Sequence, residues 1–395
     1  KSGCGGVKVA ERMSSIWVKQ RSLRMFVMRV LRLVTAILCP AFVLAAAFAP
    51  AAQAARPYKI LWQHVGGKTA LPPVVSPWGD IFLLGGNAVQ RLDPNGRLLW
   101  SFNVSGGRPG RPLFFTDGSV FLPTDRALYE IKPYGRQGWS FGVLAGEQGK
   151  TAVPAAARGP GDLFYVLMGR SLYAVAPRQN MIWYVTEGDA ALAVDADRHR
   201  VYLVHTARDA GSTLLALDAR ANVLWRMGFA ELNRIYLNLS ADGKVLYAVV
   251  VPGKTDERNR AAVYALDTAT GTRLWRHSFP QQELSDAHLG PDGVLYLVAG
   301  KRYLYALDAA TGEEKFSLPL LDLSGAAPAA DRRGIVYVPG KERLYAVSSR
   351  TGRLLWEDRF DGGIPASPAI AHDGLTVYFV SGKGVLCALR AEEAP

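Results

Sequence analysis

Four stretches of the chain repeat one another: LLALDARANVLW at 214–225, VYALDTATGTRLW at 263–275, LYALDAATGEEKF at 304–316 and LYAVSSRTGRLLW at 344–356. A unit that recurs at this spacing cannot bury both of its faces alone. The copies are therefore expected to pack on one another, and the fold follows from how the series closes.

Each copy resolves into four predicted strands. The innermost is short and rich in small residues, as in AAPAAD at 326–331 and ASPAIAHD at 366–373. It tends to end in a turn pair such as Asp117-Gly118, Asp242-Gly243, Asp292-Gly293 or Asp373-Gly374, a hairpin signal. The second strand is largely apolar, as in VFLP at 120 and VLYLVAG at 294. The third is the LYALD strand, with eight examples beginning near residues 88, 127, 171, 213, 262, 303, 343 and 385. An Asp-x-x-Thr-Gly turn follows the better copies; the Asp side chain can cap the turn amides and Gly accepts positive φ. The fourth strand carries an aromatic: Trp62, Trp100, Trp139, Trp183, Trp225, Trp275, Phe316 and Trp356, separated successively by 38, 39, 44, 42, 50, 41 and 40 residues.

The eight third strands and eight aromatic strands are offset by one. KILWQHV at 59–65 has no partner before it, and VLCALR at 385–390 has no aromatic strand after it. They complete each other if the ring closes on itself. The expectation is an all-β, eight-bladed β-propeller of four-stranded antiparallel blades, closed by the N-terminal strand joining the last blade. The 40 Gly and 23 Pro suit such a turn-rich fold better than long helices. The eight aromatics are expected to dock each blade on its neighbour.

Residues 1–54 are of another kind. A basic flank, RSLRMFVMRVLR at 21–32, precedes an apolar Ala-rich run ending in Ala52-Gln53-Ala54, the order of a secretory signal cleaved after Ala54. Residues ahead of Met25 are assigned no fold. Residues 55–395 form one propeller domain, expected to be exported to the periplasm or the extracellular space, soluble or peripherally attached to the envelope. Ile37 and Leu38 before Cys39 do not match a lipidation signal. Cys4 and Cys39 lie in this segment, which leaves Cys387 as the remaining thiol; no intrachain disulfide is available to residues 55–395, and packing must supply their stability. The segment also holds eight of the basic residues and one acid, so a net charge of +12 falls to +5 without it. That mild basicity speaks against a nucleic-acid partner.

The strings at 265–275, 306–316 and 346–356 resemble the Ala-x-Asp-x-x-Thr-Gly-x-x-x-Trp repeat of the pyrroloquinoline quinone (PQQ) enzyme propellers. The stretches at 91–100 and 216–225 resemble degenerate copies. The resemblance implies one of two branches. Quinoprotein dehydrogenases hold PQQ in the central channel with calcium, a catalytic Asp and often a vicinal cysteine pair. The branch similar to BamB of the outer-membrane assembly machinery is a cofactor-free scaffold that offers loops to partner proteins.

Residues 55–395 contain no cysteine pair, and eight plain blades use nearly all of them. Asp93, Asp218, Asp267 and Asp308 fall in repeat turns, where capping accounts for them. His64, His199, His205, His277, His288 and His372 lack metal-ligand spacing, and neither a Gly-x-Ser-x-Gly nor a phosphate-binding Gly-x-x-x-x-Gly-Lys-Ser/Thr is present. The expectation is a noncatalytic, monomeric interaction scaffold of the cell envelope, without cofactor or metal. A small PQQ-dependent oxidoreductase and a carbohydrate or cell-wall binding module are the alternatives.

In such a ring the turns after the first and third strands share one face, predicted to be plain. The turns between second and third strands lie on the other. There Arg126, Arg170, Arg260, Lys301, Arg302, Lys341, Arg343 and Lys383 recur at one loop position, with Arg108 and Arg111 on a blade connection. The longest tip, residues 251–262, holds Lys254, Asp256, Glu257, Arg258 and Arg260. A positive rim that docks a protein partner, such as an outer-membrane assembly component, or an anionic envelope surface is the expectation.

Overall fold

The structure, a computed structural model, describes residues 56–392 except 68, 70, 105–108, 143–153, 160–162, 169–170, 177–179, 186–190, 196, 208–210, 230–232 and 254–259. The expected signal segment with Cys4 and Cys39 lies outside the described residues, as do Arg108, Arg170, Lys254 and Arg258.

The described chain is all β and forms an eight-bladed propeller of four-stranded antiparallel sheets. Blades 1 to 7 span 74–103, 113–142, 155–185, 191–229, 233–278, 288–319 and 329–359. Blade 8 takes three strands from 369–391 and its outer strand, Tyr58–Val65, from the other end of the domain. That strand pairs along Val385–Ala391, from Tyr58 opposite Ala391 to Val65 opposite Val385. Beyond it, the Glu392 N–H donates to the Pro57 carbonyl at 2.8 Å. The third strand of blade 4 begins at Gly211, two residues earlier than the LYALD alignment places it. The inner strand of blade 5, Asn233–Leu239, is seven residues of mostly bulky side chains instead of a short small-residue segment, because the eight-residue second strand Val245–Pro252 pairs along its whole length.

One cross-strand register explains the LYALD motif. The Ala of the third strand stands between an aromatic of the second strand and the aromatic of the fourth, as in Tyr202-Ala216-Trp225, Tyr247-Ala265-Trp275 and Tyr337-Ala346-Trp356. The small methyl lets the two rings meet above it, with centroids 5.9, 6.0 and 6.2 Å apart in those blades. Blade 1 has Arg91 in the middle position, and its guanidinium lies 6.0 Å from the Phe82 ring centre.

Every outer strand carries one bulge. Between its pairing with the third strand at the aromatic and at the residue two before it, one residue is skipped: Leu61, Leu99, Ile182, Leu224, Leu274, Lys315 and Leu355, with Gly138 or Trp139 in the irregular step of blade 2. A bulge twists an edge strand and spoils it as a template for another strand. Here it also sets the direction of the aromatic that follows.

The core lies between blades. One cluster joins Tyr296, Val298 and Ala306 of blade 6 to Val336, Val338 and Tyr345 of blade 7, all at most 2% exposed. The aromatics reach across the same seams. The indole N–H of Trp62 donates to the Pro94 carbonyl, Trp100 to Pro133, Trp183 to Ala219, Trp225 to Thr268 and Trp275 to Ala309, at 2.8–3.1 Å, each acceptor being in the turn of the following blade. Trp356 faces the one blade in which that turn is replaced by the meeting of Glu392 with Pro57, and its ring instead meets that of Tyr58 at a tilt, with centroids 4.8 Å apart. Cys387, 2% exposed, occupies the third strand of blade 8 within a core cluster, and burial pushes its thiol pKa up.

Candidate functional site

The turn aspartates act as caps. Asp93 accepts from the amides of Asn95 and Arg97, and Asp218 from Arg220 and Asn222, at 2.8–3.0 Å. Asp267 and Asp308 do the same for Ala269 and Thr270 and for Ala310 and Thr311, at 2.8–3.1 Å. The carboxyls of Asp218, Asp267 and Asp308 are held below the usual range, chiefly by the Asn222 side-chain amide, the Thr270 hydroxyl and the Thr311 N–H respectively. Among the described residues, no three His, Cys, Asp or Glu side chains are placed to hold a metal ion.

The face carrying the turns between second and third strands has a different character. In blade 6, Lys301 pairs with Glu283 at 3.0 Å; in blade 7, Lys341 faces Asp322 at 4.0 Å; in blade 8, Lys383 pairs with Asp361 at 2.8 Å. In each case the Lys sits in the turn and the acid lies on the segment entering the same blade. All six side chains are exposed, from 51% to 83%. Arg343 pairs with Glu357 of its own blade, and Arg359 faces Glu342 at 3.9 Å. Arg111, Arg126, Arg260 and Arg302 are exposed. The expected positive rim is thus, through blades 6 to 8, a ladder of alternating charge. The acids were missed in the sequence because Glu283, Asp322 and Asp361 stand in irregular connections that share no motif.

Beside this ladder a cavity of about 150 Å³ opens between blades 5 and 6, lined among others by Arg234, Tyr236, Glu283, Ser285, Lys301 and Ser324. The Arg234 guanidinium lies 5.6 Å from the centre of the Tyr236 ring. Asp286, next to Ser285, accepts from the Asn238 side-chain amide at 2.7 Å and from the Ala287 N–H at 2.8 Å. Burial pushes its pKa up to about 6, against these hydrogen bonds and the nearby Arg111.

Eight four-stranded blades, the Tyr-Ala-Trp register and the capped turns define an eight-bladed β-propeller. Residues 259–394 match the family model described as outer membrane protein assembly factor BamB. The structure is similar to the crystal structure of BamB from Moraxella catarrhalis, with a TM-score of 0.62 at 15% identity over 84% of this chain and 99% of that one. It is also similar to a quinohemoprotein alcohol dehydrogenase from Pseudomonas putida HK5, with a TM-score of 0.65 at 14% identity over 86% of this chain and 78% of that one. Such identities speak for the fold. A stretch of 143 residues, 33% of this chain, is 32% identical to the serine/threonine-protein kinase AfsK of Streptomyces griseus, and it spans 17% of the kinase. Among the described residues no helix is long and apolar enough to cross a membrane.

Proposed function

We propose that the protein is an exported, noncatalytic propeller that binds a protein partner in the cell envelope, in a role similar to that of BamB. The observation that carries this reading is the charge ladder: three successive blades present the same exposed Lys-carboxylate pair, beside a polar cavity, on one face of a rigid ring. Exposed pairs of this kind contribute about 0–1 kcal/mol to stability. They can therefore be exchanged for a partner's charges at little cost, and their alternating sign selects a complementary surface by attraction and by repulsion. The exposed basic positions outside the ladder, Arg111, Arg126, Arg260 and Arg302, extend the same face.

Crosslinked affinity purification from the native envelope tests this reading. Wild type is expected to retain a partner that the triple variant Lys301→Glu, Lys341→Glu, Lys383→Glu loses; equal recovery by both would remove the ladder from the binding site. Incubation with PQQ and calcium followed by a dye-reduction assay tests the catalytic alternative. Turnover there would overturn the noncatalytic reading.

A further inference from the structure

The face that carries the first and third turns of each blade, opposite the ladder, holds a cavity of about 390 Å³ on blade 4. Two turns build it. One supplies Arg198, His199 and Arg200; the other supplies Asp218, Ala219 and Arg220. Three arginines therefore line one cavity together with one aspartate.

The charges are fixed from behind. Asp195, a buried carboxylate, holds Arg198 at 2.9 Å, and the pair lies against Gly243 of the next blade, where any side chain would collide with it. Arg200 lies within electrostatic reach of the Tyr202 hydroxyl and of Asp267. Both oxygens of Asp218 are occupied within their own turn, Oδ1 by the N–H groups of Arg220 and Asn222 and Oδ2 by the Asn222 side chain at 2.9 Å. The Arg220 backbone serves the cap while its side chain is exposed.

We propose that this cavity binds a phosphoryl group. A carboxylate presents two oxygens in one plane and is satisfied by a single guanidinium fork. A phosphomonoester presents three terminal oxygens in a tetrahedral array and about two negative charges, which suits several guanidiniums from different directions. The cavity volume exceeds one phosphate, so the site has room for a small phosphorylated organic group, and Leu224 adds an apolar wall. A free phosphate ester and a phosphomonoester lipid headgroup share this chemistry. The site is separate from the ladder and does not depend on the reading given above.

The test is calorimetric titration of the full chain with glycerol 3-phosphate, repeated with sulfate, and co-sedimentation with phosphatidate-containing vesicles. Saturable binding of glycerol 3-phosphate, weakened about tenfold or more in Arg220→Gln, is the expected result. Arg200→Gln is a second variant, and the thermal melt of each verifies folding; Arg220 is exposed, so its melt should be unchanged. Binding to vesicles alone, lost in Arg220→Gln, would assign the phosphoryl group to a lipid. No binding to either probe, equal binding of sulfate, or full binding by both folded variants would each overturn the assignment.

Discussion

Gly312 of blade 6 lies against the indole of Trp275 of blade 5: a Cβ placed on Gly312 would stand 2.5 Å from indole carbon atoms. The same relationship joins Gly96 to Trp62, Gly135 to Trp100, Gly271 to Trp225 and Gly352 to Phe316, at 2.5–2.8 Å, and all five glycines have positive φ. The turn glycine thus has two reasons to be glycine, a left-handed backbone and a neighbour's ring. Together they tie the Thr-Gly turn of one repeat to the aromatic of the repeat before it.

Gly312→Ala separates the two reasons when compared with Gly293→Ala. Gly293 also has positive φ, 72° against 75°, but nothing lies within 4 Å of its added Cβ. Gly293→Ala should cost about 1–2 kcal/mol, the backbone term alone. Gly312→Ala should cost a further 1–3 kcal/mol or so because the indole must move. Urea unfolding of both variants checks the difference, and equal losses would show that the seam yields freely.

Trp275 contributes area and one hydrogen bond. Trp275→Ala should cost about 3–5 kcal/mol, as for other large aromatic truncations. Trp275→Phe keeps the ring over Gly312 and loses the bond to the Ala309 carbonyl, about 1 kcal/mol. The carbonyl retains the Tyr247 hydroxyl at 3.1 Å, so it is not orphaned, which keeps the second loss small. Phe316 in the equivalent place of blade 6 is the natural precedent. Denaturant midpoints that rank the two variants in the other order would contradict this division.

The blade count, the closing strand and the turn caps were all legible because each rests on a local pattern: period-two apolar strands, an Asp at a fixed distance from a Gly, and an offset of one between two counts. The pairing of Gly312 with Trp275 was not. Gly312 stands four residues before Phe316 in sequence and touches a ring that lies in the preceding repeat. In a periodic chain both spacings are constant, so periodicity cannot say which aromatic a glycine meets. The face predicted to be plain hid its arginines for a different reason. Arg198 and Arg200 belong to one turn and Arg220 to another, and antiparallel pairing of blade 4 brings those turns to the same end. On the opposite face the basic residues were legible, but not the acids that alternate with them.

Asp286 makes stability depend on pH in an unusual direction. Its folded pKa, about 6, lies above the ordinary 3.8 because burial disfavours the carboxylate. The unfolded chain therefore releases this proton first as pH rises from 3.8 to 6, and stability falls across that window by about 3 kcal/mol. Asp286→Asn keeps an oxygen to accept from Asn238 and Ala287 and removes the ionisation. The variant should match wild type near pH 4 and exceed it at pH 7 by about that amount. Melts across the range check this; a difference independent of pH would place the pKa of Asp286 near its ordinary value.

The bulged residues on the outer strands are exposed: Leu274 by 53%, Leu355 by 47% and Leu99 by 43%. Blade 6 carries Lys315 at the same position and forms the same bulge, so an apolar side chain is not required for it. Leu99→Lys, Leu274→Lys and Leu355→Lys should each change stability by no more than about 0.5 kcal/mol. The triple variant should lower concentration-dependent light scattering, since a charge on an edge strand opposes edge-to-edge pairing. A large loss of stability would instead mean that these side chains pack within the fold.

Closure of the ring by Tyr58–Val65 can be separated from the connectivity that happens to achieve it. In blades 1 to 7 the outer strand follows the third within a few residues of sequence; in blade 8 those strands belong to opposite ends of the domain, and Glu392 and Pro57 meet across the gap. A permuted chain of residues 57–392, joined there by an Asp-x-x-Thr-Gly turn and opened in blade 7 at Arg350, keeps every strand pair and moves the single break by one blade. Closing and opening loops of similar length should nearly cancel in entropy. The permuted chain should therefore unfold in one cooperative transition close to that of the native order. Removing residues 57–65 is a different matter. It exposes Val385–Ala391 as an unpaired edge, takes away the Tyr58 ring that packs on Trp356, and deletes the Trp62 bond to Pro94. Two seams fail at once, and the truncated chain should lose cooperative unfolding by circular dichroism. A truncated chain that melts like the native one would mean that the ring does not need its clasp.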